Sequence, residues 1–531
     1  MTRLQEKGPT AMGTAIDGIS SAPQDDGFDW YSSFRGRHGR PLRVLHVGNI
    51  ANNAFNNARI QRQHGIDAYV LAYENYHIMA CPEWEEANFD GDLGDPFFPN
   101  WSSLDLKGYL RPGWFASGPL ELCCAMIEAE VTGQEVLAEQ LRHSLDRARR
   151  RVSSQTAYAR AVRYGQRAKR FARRSALGAL RAFSGGDQKV ELARLAVISE
   201  QAPVQLSPLR ESDLASYRAR LAPLIRLFDH FDVIQAYSTD GAWPLLAHHP
   251  YLAYEHGTLR AIPFQDDSLG RLARTVFLGA QHVLVTNIDC LSAARRLGIP
   301  SSRITPLPHA FDDKKLVEFK KANPAIRPPD DRILFFHPAR HDWLDADPSL
   351  VKGNDRLIRA FATVAREDSR LRLAMIAWGR DLQASRELVR SLGLEGRVQW
   401  MDPMRKPQLW QAYLSSHAVL DQFVLPSFGG ITFEALALGR PVITHIDSGS
   451  AAEFFSQSPP VLQASSDNEI AVALRRIASD PGDMQQLGEA GATWIQRLHS
   501  AKRIVELQLR AYRQYLAGSQ PIEPSTSREE L

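Results

Sequence analysis

Cysteine is scarce in this 531-residue chain: Cys81, Cys123, Cys124 and Cys290 are all it has. None stands at a metal-ligand spacing, and the adjacent pair is badly placed to bridge. Neither a disulfide framework nor a zinc module is expected; reduced thiols in a cytoplasmic setting are. No run of about eighteen apolar residues occurs, so no segment is suited to span a membrane. The first residues lack a basic start followed by an apolar core, so no secretory signal is expected. Charge of one sign is not in excess, at 63 Lys and Arg against 60 Asp and Glu. No internal repeat of solenoid type is present. What remains is ordinary for a globular protein, 44% apolar and 23% charged, with enough length for two or more cores.

Taken in order, residues 1–40 are polar and rich in Gly, Ser and Asp, and read as a loose, disordered extension. RVLHVGN (43–49) is a short buried strand ending in glycine, followed by a helical pattern and then by the strand IDAYVLAY. The loop between them holds Gly48, Asn49, Asn52 and Asn53. Asparagine tolerates left-handed turns and offers amide hydrogen bonds, so this loop either contacts a donor or acceptor or simply caps and turns. Residues 80–120 are aromatic and acidic without a period, and read as a solvated loop with no defensible metal spacing. From about 118 to 225 the pattern is helical, an insertion in a domain that spans 41–317. Strands resume at 231–238, 251–258, 282–287 and 304–312. A proline-bearing linker is expected at 318–331. A second domain over 332–500 alternates the strands ILFFHPAR, LRLAMIAWG, GRVQWMD, 417–425 and PVITHID with Leu- and Ala-rich helices. That alternation predicts a parallel sheet covered on both faces. The last long helical pattern, 492–516, has the length to cross back, with 501–517 returning to the first domain and 518–531 a disordered tail.

The most informative stretch is Asp421 to Asp447, DQFVLPSFGGITFEALALGRPVITHID. A strand leads through a Pro-Ser turn and Gly429-Gly430 into a helix that Gly439 and Pro441 end. Such a unit presents free backbone N–H groups to an anion at the helix start. Glu434, read as lying in the first turn, suits the hydroxyls of a ribose. The stretch resembles the nucleotide-sugar loop of retaining GT-B glycosyltransferases, close to their large family 4. The family form is E-G-F-G-x-x-x-x-E-A-x-A-x-G-x-P-V-I; here it is S-F-G-G-I-T-F-E-A-L-A-L-G-R-P-V-I. Glu434 matches the second glutamate, which in the family holds the ribose. The first falls on Pro426, so the sugar is expected to add less affinity than in relatives.

The resemblance implies two Rossmann-like domains with parallel sheets facing each other across a cleft. It also implies transfer of a hexose-type sugar, with retention, from a nucleotide-diphosphate donor to a glycan or lipid-linked acceptor, as in polysaccharide biosynthesis. Ser427, Phe428, Gly429, Gly430 and Ile431 would line the donor. Arg340, after ILFFHP, and Lys352, before the helix DRLIRAF, would hold the diphosphate and stabilise it as it leaves. His256, at a strand end in EHGT, would reach the reacting sugar, although a lone His there is more often structural. Trp378, Gly379 and Met401 lie at strand ends where the base would rest. No metal or other cofactor is implied. A GT-B sugar-nucleotide epimerase and a non-catalytic nucleotide-sugar scaffold are the alternatives.

One feature falls outside the resemblance. Residues 142–181 hold thirteen Lys and Arg against one acid. At about 100° per residue, Arg160, Arg163, Arg167, Arg170 and Arg174 share one helix face. This predicts docking on an anionic membrane, peripheral on its inner face, with nucleic acid not expected as a partner.

Overall fold

The computed structural model describes residues 27–95, 97–153, 185–203, 206–310, 312–324, 331–345 and 351–518. The arginine stripe from Arg160 to Arg174 lies outside the described residues, as do 1–26 and 519–531.

Seven strands make the first sheet: β1 (Arg43–Val47), β2 (Asp67–Tyr73), β3 (Phe115–Gly118), β4 (Val233–Tyr237), β5 (Leu252–Tyr254), β6 (His282–Val285) and β7 (Ile304–Pro306). Their order is β3-β2-β1-β4-β5-β6-β7, and every pairing is parallel. Six more make the second: β8 (Ile333–His337), β9 (Leu371–Ile376), β10 (Val398–Met401), β11 (Ala418–Leu420), β12 (Val442–Thr444) and β13 (Leu462–Gln463). Their order is β10-β9-β8-β11-β12-β13, again all parallel. Strands this apolar are buried on both faces, as parallel sheets require. In β1, Val44 joins one core while Leu45 and Val47 join the core on the opposite face.

Each sheet reverses its winding once, between β1 and β4 in the first and between β8 and β11 in the second. Loops leaving the C-terminal ends of strands diverge at such a point and open a crevice for ligands. The loop 48–52 leaves β1, while the segments starting at 338 and 421 leave β8 and β11.

Several expectations need correcting. Residues 27–38 are not a loose extension but a helix, Gly27–His38, with Tyr31 and Phe34 buried. It packs on the closing helix Ala501–Gly518 so closely that a Cβ on Gly27 would lie 2.7 Å from the Glu506 carbonyl. The segment 118–225 is not all insertion. The helix Leu120–Val131 buries Cys123, Cys124, Met126 and Ile127 in the same core as Leu71 of β2, so it is a sheet-covering crossover following β3. The pattern 492–516 is two helices, Pro481–Leu498 and Ala501–Gly518, broken at His499 and Ser500. β11 ends at Leu420, so 421–425 is loop rather than strand.

The closing helix docks through buried amides as well as apolar contacts. Gln61 Nε2 donates to Gln508 Oε1 and to the Tyr512 hydroxyl, both at 2.8 Å. Gln508 donates to Asn57 Oδ1 at 2.6 Å, and Tyr512 donates to Gln235 Oε1 at 2.7 Å. Buried polar groups are tolerated when paired in this way.

Candidate active site

The loop after β11 is shaped from beneath by a carboxylate. Asp421 is buried; its Oδ2 accepts from Gly429 N at 3.2 Å and from the Thr432 hydroxyl at 2.7 Å. A Cβ on residue 429 would sit 2.7 Å from that oxygen, so glycine is needed there for close approach. Gly430 opens the helix Gly430–Ala437, and a Cβ there would meet nothing within 4 Å. The first-turn N–H groups of that helix have no intrahelical partner. Gln422 holds the loop from within, donating to Ser427 O at 2.6 Å. Ser427 is buried, and its hydroxyl has no hydrogen-bond partner among the described residues. Phe428 turns inward against Phe433, Phe455 and Trp494, so it supports the loop, while Ile431 is half-buried at its edge.

Lys352 meets this loop directly. Its Nζ donates to Gln422 Oε1 at 2.5 Å, and its backbone carbonyl accepts from Phe423 N at 2.9 Å. Burial pulls the Lys352 ammonium down to about 8; Asp421 opposes this, while the charges of Arg340 and Arg260 add to it. Burial likewise raises the Asp421 carboxyl, with Lys352 opposing. Arg340, after β8, pairs with Asp342 at 2.7 Å and keeps 30% of its side chain exposed. Arg260 comes from the other domain, beyond β5, where it pairs with Asp289 at 3.1 Å. Two arginines, one from each side of the cleft, therefore act on Lys352. Arg260 was missed in the sequence; its signal was a cation four residues past the strand-end His256. Asp421 and Gln422 were also missed, although polar residues closing an apolar strand mark such a position.

The structure brings His256 together with the asparagine loop. Asn53 bonds His256 Nδ1 and His309 Nδ1, each at 3.1 Å, and accepts from the Tyr254 hydroxyl at 3.2 Å. Burial first, then the Arg260 charge, pull His256 down to about 4, so its imidazole is neutral near pH 7. Asn49 and Asn52 have other work. Asn49 donates to Asn52 Oδ1 and Ala80 O, and Asn52 donates to Cys81 O, all at 3.0 Å. They brace the turn around residue 80. Gly48 has φ +92°, and a Cβ there would collide with Asp240 at 2.1 Å.

Glu434 is the fifth residue of its helix, not part of the first turn. Its carboxylate accepts from Lys406 at 2.5 Å and is 13% exposed. Burial raises its pKa, Lys406 opposes, and Glu85 adds to the rise. The ion pairs run on to the first domain, where Lys406 lies 3.9 Å from Glu85 and the neighbouring Glu86 pairs with Lys315 at 3.3 Å. The stretch 80–120, expected as a solvated loop, thus clasps the second domain. Phe97 stacks on Trp378 at 5.9 Å, and Trp378 donates to Pro338 O at 3.1 Å. Gly379, at φ +116°, leaves a Cβ only 2.4 Å from His341 N. Met401 ends β10, its carbonyl accepting from Ala377 N at 2.7 Å. No cluster of His, Cys, Asp and Glu among the described residues could hold a metal. None of the described helices is long and apolar enough to cross a membrane.

Two parallel Rossmann-like sheets, each with a single switch point, make up a GT-B fold. Residues 348–494 match the family model described as Glycosyl transferases group 1. A D-inositol 3-phosphate glycosyltransferase of Kribbella flavida is 30% identical over 156 residues, covering 28% of this chain and 37% of the relative. The protein of the same name from Rhodococcus jostii is 27% identical over 184 residues, covering 33% of this chain and 41% of the relative. The chain thus spans well under half the length of these curated relatives. A glycosyltransferase structure from Rickettsia africae superposes with a TM-score of 0.48 at 12% identity, covering 90% of this chain and all of that one.

Proposed function

We propose that the protein is a glycosyltransferase that moves a hexose-type sugar, with retention, from a nucleotide diphosphate to a glycan or lipid-linked acceptor. The observation that carries this reading is Lys352 bonded to Gln422, the residue that holds the glycine loop, where the charges of Arg340 and Arg260 also reach. Breaking the bond between sugar and diphosphate places negative charge on the leaving oxygens. Fixed cations favour that charge more than they favour the intact donor, and so lower the barrier. The N–H groups at the start of the Gly430–Ala437 helix would take a phosphate of the donor. Neutral His256 and Asn53 would meet the sugar from the other domain. The diphosphate itself would accept the acceptor's proton, so no carboxylate base is assigned. Arg340, Lys352 and Arg260 carry the leaving-group charge in this reading, so no metal is required. Docking on an anionic inner membrane face through Arg160–Arg174 stays part of the proposal.

The test is incubation of the full chain with a panel of nucleotide sugars. Released nucleotide diphosphate and donor-induced thermal protection are measured, and the product's anomeric configuration is read by NMR. Release together with protection by one donor is expected, and persists in EDTA. No protection and no release with any donor overturns the reading.

A further inference from the structure

A cavity of about 1420 Å³ opens in the N-terminal domain, lined entirely by residues between 73 and 243. This exceeds the roughly 300–1,000 Å³ of an ordinary small-molecule site. Tyr73, Trp101, Leu110, Phe115, Met126 and Trp243 give it broad apolar walls. The donor side is close by. Phe98 lines the cavity, while its neighbour Phe97 stacks on Trp378. His77 packs edge-on against Phe98 at 5.5 Å, and the Arg340 charge reaches it. His77 and Phe98 thus link the cavity wall to the surroundings of the cation expected to hold the donor phosphate.

The charges in the cavity wall are unequally compensated. Arg111 is held by Glu83 through two bonds of 2.5 and 3.0 Å. Arg220 has Glu74 at 2.9 Å, and Arg142 has both Glu130 and Glu139. Arg149 is different. It is 21% exposed, and its carboxylate partner is Asp146, three residues earlier on the same helix and 47% exposed. Its other bond is to the Ser117 carbonyl at 3.0 Å. Burial, and then the charge of Arg111, pull Arg149 down to about 10. A largely buried guanidinium in a wall of mixed aromatic and charged residues, repelled by a second one and paired with a half-exposed carboxylate, is favoured by an anion that joins it. The guanidinium fork matches phosphate oxygens, and a phosphate dianion brings it more charge than a single carboxylate does.

We propose that this cavity binds the acceptor of the transfer, and that the acceptor is an amphiphile carrying a phosphate headgroup on an apolar body. The word acceptor rests on the transferase reading; the binding rests on the cavity. Arg149 takes the headgroup and the aromatic walls take the apolar part.

The experiment is calorimetric titration of the full chain with decyl phosphate, decyl glucoside and glycerol phosphate, and separately with nucleoside diphosphate. Decyl phosphate is expected to bind at least about tenfold more tightly than either of the others, the scale of one charge-assisted hydrogen bond. Arg149→Gln should remove most of that preference, leave nucleoside diphosphate affinity unchanged, and hold or raise the melting temperature. Should that variant not fold, Arg149→Lys should fold and keep a weaker preference for phosphate. Equal affinity for decyl phosphate and decyl glucoside overturns the inference, and so does an Arg149→Gln protein that binds decyl phosphate as wild type does. Glycerol phosphate binding as tightly as decyl phosphate overturns the amphiphile class in favour of a water-soluble phosphate. Failure of nucleoside diphosphate alone to bind strikes the transferase reading instead.

Discussion

Arg340 holds Asp342 across the turn after β8 with nearly a third of its side chain open to solvent. Asp342 itself is buried, but without Arg340 it keeps the Arg380 backbone N–H at 2.9 Å and the Arg380 guanidinium at 3.5 Å. Arg340→Ala is therefore expected to leave the melting temperature almost unchanged while cutting turnover about a hundredfold, the scale for losing one transition-state charge partner. Steady-state kinetics beside a thermal melt is the check, and near-normal turnover removes Arg340 from the site. Lys352 makes a pH prediction. Its ammonium is depressed to about 8, so the cation is present at pH 7 and lost as pH rises through 8. A bound diphosphate favours the charged form and raises that value. Nucleoside diphosphate affinity should therefore be strongest below pH 8 and decline above it. In Lys352→Arg the decline should flatten, because arginine stays protonated. A wild-type profile flat from pH 7 to 9.5 rules the titration out. Arg340 and Lys352 were singled out by the resemblance of their strand and helix to the family pattern, not by their positions alone. Arg260 was not, because Lys352, on which its charge acts, lies in the other domain, and its place four residues past His256 is only a weak sign.

At the scale of elements, the strand–loop–helix unit around 421–437 was legible because each part has its own local cause. An apolar run ends at Leu420, glycine is forced by Asp421 at residue 429, and Gly439 at φ +73° stops the helix. The surroundings of Glu434 were not legible, since Lys406 and Glu85 come from distant segments. That pairing sharpens the prediction for Glu434→Gln. If the carboxylate accepts ribose hydroxyls, the variant should weaken nucleoside diphosphate by about 1.5–3 kcal/mol. It should also lower the denaturation midpoint, because Lys406 then keeps only Glu85, at 3.9 Å. Calorimetry and chemical denaturation read the two effects separately, and unchanged affinity with reduced stability confines Glu434 to holding Lys406. The same distance in sequence explains why 80–120 was read as solvated. Its aromatic and acidic residues have no period because they answer to another domain and to a cavity, not to a helix or strand of their own.

On the scale of the whole molecule, the two-sheet architecture followed from alternating apolar strands and amphipathic helices, whereas β3 and the Gly27–His38 helix did not stand out. β3 is four residues long and borders an irregular segment, and the helix depends on a surface supplied by residues 501–518. The buried network joining that closing helix to the first domain is expected to matter for stability. Tyr512→Phe leaves Gln235 Oε1 without its 2.7 Å donor and should cost about 1–3 kcal/mol, the penalty for an unsatisfied buried polar group. Equilibrium unfolding in denaturant measures it, and a change under about 0.5 kcal/mol, the usual range for surface substitutions, would mean that the neighbouring amides repack. The network has a consequence for the order in which the protein is made. Gln61 waits for partners 447 and 451 residues downstream. A ribosome therefore finishes the second domain while the first still carries an uncovered face and unpaired amides. Although domains usually fold from the N-terminus during synthesis, here the domain translated first is the one completed last.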